Sequence, residues 1–165
     1  MASHAAHRYA AVLACALAAA IGGCSRGDPD AAPQVAAPSD ATSRRFGEFE
    51  IHYNAVRSDF LTPEVARAYG IARSANRVLL NVSVLHLNPD GTTTPVDAGV
   101  TATAYNLNGQ LKQLSMRRVT EGSSVYYIGE VEISGNEILV FDISAAPAGP
   151  ESKFTVQFKR EFYAG

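Results

Sequence analysis

The stretch that decides the fold is FTVQFKREF at residues 154–162, close to the end of a chain of 165 residues. Successive side chains of a β-strand point to opposite faces, so a regular alternation of apolar and polar residues is typical of a strand with one buried face. The apolar members here are Phe154, Val156, Phe158 and Phe162, set against Thr155, Gln157, Lys159 and Glu161. This stretch therefore predicts an antiparallel sheet that covers a hydrophobic core with one of its faces.

Six earlier segments repeat the alternation and bring the predicted number of strands to about seven. They are residues 49–55, 80–84, 100–105, 111–119, 127–133 and 139–143. Turn-forming residues separate these segments. The stretch Asn88-Pro89-Asp90-Gly91 suits a type I turn, and Asn108-Gly109 indicates a hairpin because both residues tolerate a positive φ.

One short helix is predicted after the first of these strands. Thr62 is its N-cap, Pro63 is its first helical residue, and Gly70 is the left-handed residue that ends it. Residues 46–165 are therefore predicted to form an all-β domain. Its architecture is a two-layer antiparallel immunoglobulin-like sandwich of about seven strands with one short helix.

The beginning of the chain is organised as a secretory signal. Arg8 precedes an apolar run from Tyr9 to Ile21, which is shorter than the ~20 residues that a bilayer requires. The run ends in Ile21-Gly22-Gly23-Cys24, which resembles the lipobox of bacterial lipoproteins. The resemblance implies that residues 1–23 are a lipoprotein signal peptide and that the sulfur of Cys24 carries a diacylglycerol. Cleavage after Ala18-Ala19-Ala20, or an uncleaved anchor, is the alternative.

Residues 24–45 follow as the lipidated cysteine and a tether rich in Ala, Pro and Asp. Such a composition buries too little apolar surface to offset the entropy of ordering, so we expect this tether to be disordered. Ser25 stands directly after the cysteine, and by resemblance to enterobacterial lipoproteins it indicates sorting to the outer membrane. We therefore expect a cell-envelope protein that faces the periplasm and has the membrane as one partner, through its lipid anchor.

Charge and the absence of known motifs narrow the classes of function. The 14 Lys and Arg residues against 16 Asp and Glu residues leave no basic surplus, so no nucleic-acid partner is expected. His52 and His86 lack a suitably spaced metal-binding neighbour, and Cys24 is the only cysteine after the signal peptide. No metal and no cofactor is predicted. No nucleophile elbow, phosphate-binding loop or zinc-protease motif occurs, and we expect no enzyme activity.

Two charged groups admit a functional interpretation beside a structural one. Glu130 and Glu132 lie about 7 Å apart on one strand face, which suits a catalytic carboxylate pair, although a solvated face is the simpler interpretation. Lys112, Arg117 and Arg118 form a basic spot that suits lipid head groups. A charged strand that resists edge pairing explains the same three residues.

The segment from residue 52 to residue 77 combines aromatic side chains with Arg and Asn around the predicted helix. This composition is typical of protein-interaction surfaces, and it is also what a junction between helix and sheet requires. The predicted interaction surface consists of Tyr53, Phe60, Tyr69, Arg73, Asn76 and Arg77.

The same segment carries a family resemblance. HYNA at residues 52–55, FLTPEVARAYGI at 60–71 followed by Arg73-Ser74, and FKREFY at 158–163 resemble the domain-of-unknown-function 4426 family. The resemblance covers residues 46–163. It implies a small exported proteobacterial protein and a fold, but no catalytic residues.

Three functions are compatible with these observations. The first is a non-enzymatic module of the cell envelope that binds another protein or has a structural role, through the helix side or a strand edge. The second is a protein that binds a small apolar or glycan ligand between the sheets, in a pocket lined by Tyr53, Tyr69, Tyr126 or Tyr127. The third is an envelope hydrolase. A protein partner is expected first, because the sequence shows no converging catalytic groups.

Overall fold

The computed structural model describes residues 42–147 and 152–164. The predicted signal peptide, Cys24 and nearly all of the predicted tether lie outside the described residues. No helix within the described ranges is long and apolar enough to cross a membrane.

The described residues form ten strands, one α-helix and one 3-10 helix. The strands are β1 (Ser43–Phe46), β2 (Phe49–Arg57), β3 (Arg77–Leu87), β4 (Thr93–Pro95), β5 (Gly99–Asn106), β6 (Leu111–Leu114), β7 (Arg117–Glu121), β8 (Ser124–Glu132), β9 (Glu137–Ala146) and β10 (Phe154–Phe162). The 3-10 helix covers Ser58–Phe60, and α1 covers Pro63–Ala68. Both helices lie in the connection between β2 and β3.

The strands form two antiparallel sheets, which confirms the predicted all-β sandwich. The first sheet has the order β1-β2-β3-β8-β7, and β4 pairs with the end of β3 beyond β8. The second sheet has the order β10-β9-β5-β6. The stretch that began the sequence analysis is β10, and all nine of its residues pair with β9.

A column of aromatic rings fills the space between the two sheets. Phe158 of β10 stacks on Phe141 of β9 at 4.9 Å between ring centroids, and it meets Tyr53 of β2 at the same distance. Phe162 approaches the edge of Phe141 at 6.3 Å. Phe141 itself is completely buried. Dense packing of this kind excludes water and most ligands from the interior of a sandwich.

Two boundaries differ from the sequence prediction. Strand β1 begins at Ser43 and pairs with β2, so the folded part starts inside the segment 24–45 that was predicted as tether. The predicted single strand 111–119 is two strands, because the chain leaves the second sheet after Leu114 and joins the first sheet at Arg117. Alternation of side chains alone does not show where a chain changes sheets.

Gly129 of β8 lies directly against the side chains of this crossing segment. A Cβ atom at Gly129 would lie 2.5 Å from Sδ of Met116 and 3.2 Å from Cβ of Leu114. We expect Gly129→Ala to lower the free energy of unfolding by about 1–3 kcal/mol, because the side chain of Met116 has to swing away and Leu114 has to shift slightly to admit the methyl group. Urea denaturation measures the change.

Gly99→Ala is the matched control for this prediction. A Cβ atom at Gly99 would meet only Cβ of Ala146, at an ordinary 3.9 Å. The control should change the stability by less than about 0.5 kcal/mol. Equal effects of the two substitutions would contradict the role assigned to Gly129.

Candidate functional site

Helix α1 packs on the outer face of the first sheet, and the site lies beside it. Ala66 of α1 and Ile71 form a second apolar cluster with Leu79 of β3 and Ile128 of β8, separate from the core between the sheets. Leu79 points outward because its neighbours Val78 and Leu80 are buried on the inner face. Both faces of the first sheet are therefore partly covered.

Hydrogen bonds at both ends of α1 fix the helix in this position. The hydroxyl of Thr62 accepts a hydrogen bond from the backbone N–H of Val65, as predicted for an N-cap. Gly70 has a φ of 61°, and the N–H of Ile71 then donates to the carbonyl of Ala66, so the chain turns back toward the sheet. The buried hydroxyl of Ser58 donates to the carbonyl of Ala72 and fixes the segment that follows.

A groove of about 310 Å³ lies between α1 and the outer face of the first sheet. We call it the helix groove. Its apolar lining consists of Leu61, Val65, Ile71, Leu79, Val119 and Ile128, and its polar or aromatic lining consists of Tyr69, Asn81, Glu121 and Tyr126. This volume is at the lower end of the range for small-molecule sites, and it also fits one or two side chains of a partner protein.

Tyr69 and Glu121 join across the helix groove. The hydroxyl of Tyr69 donates to Oε2 of Glu121 at 2.7 Å. This hydrogen bond, together with desolvation and the negative charge of Glu121, raises the pKa of Tyr69 above its usual value. The phenol of Tyr69 therefore keeps its proton at neutral pH, and that proton is hydrogen-bonded to Glu121.

Asn81 supplies an unusual feature of the helix groove. It lies in the middle of the first sheet, paired with Asn54 of β2 on one side and with Ile128 of β8 on the other. Its Oδ1 atom is buried and has no hydrogen-bond partner within residues 42–147 and 152–164. A buried acceptor without a donor costs about 1–3 kcal/mol, so such atoms are rare in folded proteins and mark positions that need an explanation.

The helix groove continues along the outer face of the sheet. Tyr126 also lines a cavity of about 360 Å³ with His52 and Ser83, and Asn81 also lines one of about 250 Å³ beside the same two residues. Asn81 and Tyr126 therefore lie at the boundary between the apolar section of the groove beside α1 and its more polar section beside His52 and Ser83.

The residues of the predicted interaction surface do not lie together in the structure. Tyr53 is only 3% exposed and belongs to the core, so its assignment to a surface is wrong. Tyr69 lines the helix groove. Phe60 is 71% exposed and lies at another corner, where the guanidinium of Arg57 covers its ring at 4.6 Å.

The remaining predicted surface residues have structural contacts. Arg73 donates to the carbonyl of Asp59 at 2.7 Å. Arg77 bonds both Glu130 and Glu132, at 3.3 Å and 3.1 Å. The carbonyl of Asn76 accepts from the N–H of Ile133. Arg73, Asn76 and Arg77 thus connect the chain after α1 to neighbouring segments. This agrees with the alternative interpretation of the segment as a junction between helix and sheet.

The other charged candidates also find structural partners. The guanidinium of Arg77 forms ion pairs with both Glu130 and Glu132. The basic spot is not a single patch: Lys112 bonds Glu137, Arg118 bonds Asp97, and Arg117 donates to the carbonyl of Tyr69.

The two histidines lie beside different carboxylates. Nε2 of His52 lies 3.6 Å from Glu50, and Nε2 of His86 lies 3.5 Å from Glu48. Within the described ranges, no three His, Cys, Asp or Glu side chains come close enough to hold a metal ion.

Sequence reasoning missed Asn81 and Glu121 as groove residues, and it placed the tyrosine pocket in the wrong layer. Tyr53 and Tyr127 are buried in the core, whereas Tyr69 and Tyr126 line the outer groove. The signal that could have located the groove is the unbroken apolar run of residues 78–80. An apolar residue on each face of a strand indicates that something also covers the outer face.

Comparisons with known proteins connect this architecture to a family. A family model described as "Domain of unknown function (DUF4426)" matches residues 43–165. The crystal structure of a DUF4426 family protein, PA0388 from Pseudomonas aeruginosa PAO1, shows 36% sequence identity with a TM-score of 0.64. The match covers 74% of this chain and 94% of that one. No match was found among curated proteins.

More distant structures share the fold. FetP of uropathogenic E. coli strain F11, expressed in the periplasm of E. coli, has 13% identity and a TM-score of 0.53, with 74% of this chain and 93% of that chain covered. A copper-bound variant of FetP has 14% identity and a TM-score of 0.52, with 74% and 90% covered. At these identities the likeness shows a common sandwich architecture only.

Proposed function

The chain belongs to the DUF4426 family, and we propose that it is a non-enzymatic binding module of the cell envelope that holds a segment of a partner protein in the helix groove. One observation carries the proposal. The groove combines an apolar lining with a buried acceptor, Oδ1 of Asn81, that no described residue satisfies. A bound segment would cover the apolar surface, and a rotation of the Asn81 amide would bring Oδ1 to a donor on that segment.

The chemistry of the helix groove favours binding over catalysis. Its titratable side chains are Glu121, Tyr69 and Tyr126. The raised pKa of Tyr69 works against a role as a nucleophile or general base, and its proton is committed to Glu121. A general base needs a pKa near the working pH and a free lone pair directed at its substrate. Tyr69 does not meet the first condition, because its pKa is raised above an already high usual value.

The location of the protein in the cell is part of the proposal. The apolar run before Cys24 supports export, cleavage before that cysteine and lipidation of its sulfur. Ser25 supports the outer membrane, with the folded domain facing the periplasm. We expect Cys24→Ala to move the protein from the membrane fraction to the soluble fraction or to leave an uncleaved precursor. An unchanged distribution after fractionation would contradict the anchor.

Site-specific cross-linking in intact cells tests the binding function. A photoreactive amino acid at position 65 places the probe in the helix groove, where Val65 is 39% exposed. The matched control is position 107, because Leu107 is also an exposed apolar residue, at 70%, and does not line the groove. We expect one dominant partner from position 65, with the cross-linked peptide identified by mass spectrometry, and none of it from position 107.

A substitution inside the groove completes the test. Ile128→Arg places a charged side chain in the apolar lining and should abolish the cross-link from position 65. The same products from positions 65 and 107, or a cross-link that survives Ile128→Arg, would contradict a partner held in the helix groove.

A small amphipathic molecule, apolar or glycan, is the second candidate occupant. The continuation of the groove past Asn81 and Tyr126 toward His52 and Ser83 favours it. This candidate differs from the earlier hypothesis in its location, since the space between the sheets is filled by Tyr53, Phe141 and Phe158. Native mass spectrometry of protein purified from its own envelope would detect such a molecule and leave position 65 without a protein cross-link.

A further inference from the structure

We propose that the helix groove recognises an aliphatic ammonium group, of the kind carried by a lysine side chain, with the hydrocarbon stem on the apolar lining and the N–H donors directed at Asn81 and Glu121. This inference rests on the proposed function, because it states which chemistry the bound segment presents.

The first argument is the hydrogen-bonding inventory of the groove. Oδ1 of Asn81 is a buried acceptor without a donor. Glu121 is an acceptor when ionised, and only one of its oxygens receives the proton of Tyr69. The donor of Tyr69 is thus used inside the protein. Nδ2 of Asn81 and the hydroxyl of Tyr126 can also donate, but Glu121 is the only charged side chain among the groove residues, so the inventory favours a cationic occupant that donates hydrogen bonds.

The second argument is the charge of Glu121. None of the ion pairs among residues 42–147 and 152–164 includes this carboxylate. The neighbouring cation on β7, Arg117, donates to the carbonyl of Tyr69 and lines a different cavity with Glu130. On α1, Arg67 lies beside Glu64 on the exposed side of the helix. A cationic occupant would therefore give Glu121 the partner that the described residues do not supply.

The third argument is the shape of the lining. Leu79 and Ile128 form the floor of the groove on the sheet, and Val65 and Ile71 come from the helix side. Burial of a straight hydrocarbon stem against such a lining contributes about 0.8 kcal/mol per methylene. A long stem that ends in a charge is how lysine covers apolar surface while its charged end reaches a polar group.

Matched six-carbon probes test this directly. Hexylammonium, hexanol and hexanoate have the same stem and differ in the end group. Each is titrated into the mature protein at pH 7, and backbone amide NMR shifts of β3, β8 and α1 are followed. We expect hexylammonium to bind about tenfold more tightly than hexanol, because its N–H donors meet charged and buried acceptors, and hexanoate to bind least. Equal affinities of the three probes, or no binding by hexylammonium, would overturn the inference.

Two variants separate the groups involved. Glu121→Gln keeps an acceptor for Tyr69 and removes the charge, and it should weaken hexylammonium about tenfold without changing hexanol. Glu64→Gln is the control, because it removes the same charge from an exposed position on α1. A loss of equal size in both variants would show a general charge effect and overturn the site.

Asn81→Leu gives opposite changes in two measurements. Removing a buried acceptor that has no donor should raise the melting temperature by about 4 °C, while hexylammonium binding should fall about tenfold. A lower melting temperature with unchanged binding would show that Asn81 serves only the fold, and it would overturn its role as a ligand group.

The outcomes also distinguish this inference from the proposed function. A partner cross-linked at position 65, without any preference for hexylammonium, would refute the ammonium specificity and leave the binding module in place. Preferential binding of hexylammonium, without a protein cross-linked at position 65, would refute the protein partner and leave the recognition chemistry in place.

Discussion

Lys112→Met is expected to lower the free energy of unfolding by about 3 kcal/mol at pH 7. Nζ of Lys112 lies 2.7 Å from Oε2 of Glu137, and the two side chains are only 14% and 12% exposed. The same ammonium donates to the carbonyl of Glu132. Its removal leaves a nearly buried carboxylate without its cation, and chemical denaturation measures the loss.

The pH dependence of this loss identifies its cause. Burial by itself would raise the pKa of Glu137, but the hydrogen bonds from Lys112 and Asn106 outweigh burial and hold the pKa below its usual value of 4.5. A lowered pKa stabilises the native protein above the unfolded pKa, and this stabilisation disappears as the pH falls through the folded value. Removal of Lys112 takes away a hydrogen bond and a positive charge that both lower the pKa of Glu137, so this pKa is higher in the variant than in the wild type.

The difference in free energy of unfolding between wild type and Lys112→Met should therefore shrink as the pH falls toward 4. Protonation of Glu137 removes the ion pair from the wild type, and in the variant it removes the unpaired buried charge. The double variant Lys112→Met with Glu137→Leu removes both charges and should recover most of the lost stability. A difference that does not change with pH, or a double variant no more stable than Lys112→Met, would contradict the buried ion pair.

Phe141→Ala is expected to cost about 3–5 kcal/mol, which is the usual loss for a buried phenylalanine. Phe141 is completely buried between the sheets, against Phe158 and Phe162. Truncation leaves a cavity in the middle of the sandwich that the surrounding rings fill only in part. Thermal and urea unfolding measure the loss.

Phe60→Ala is the control for the aromatic core. Phe60 is 71% exposed and has only the contact with Arg57 to lose, so its substitution should cost less than about 1 kcal/mol. The comparison also tests where a ligand can bind. Phe141→Ala should leave the preference for hexylammonium unchanged, because the helix groove lies on the other face of the first sheet. A changed preference would point back to the space between the sheets.

The fold was largely predictable because its signals are local. Alternation in 154–162 and 49–55 marks β10 and β2, and Thr62, Pro63 and Gly70 mark the limits of α1. Each of these patterns reports a preference that a short segment has by itself: a strand with one apolar face, a satisfied N-cap, a left-handed end. The match of residues 43–165 to the family model agrees with the resemblance found in the same segments.

The site was less predictable because it depends on which residues become neighbours. The tyrosines at 126 and 127 are adjacent in the sequence, yet Tyr126 lines the helix groove and Tyr127 belongs to the core. Tyr69 and Glu121 are 52 residues apart and meet only because α1 lies over the first sheet. No periodicity encodes such a contact, since it depends on strand order and on the position of the helix.

The sequence by itself determined that residues near the carboxyl end form a sheet and that one capped helix interrupts the strands, and it predicts an export signal before them. Those features follow from side-chain periodicity, backbone preferences and composition, which act over a few residues. Only the tertiary structure decided that the crossing after Leu114 changes sheets, that Tyr53 is core rather than surface, and that Asn81 keeps a buried oxygen without a donor. These features follow from burial and hydrogen bonding between distant segments, which exist only when the two sheets and α1 have come together.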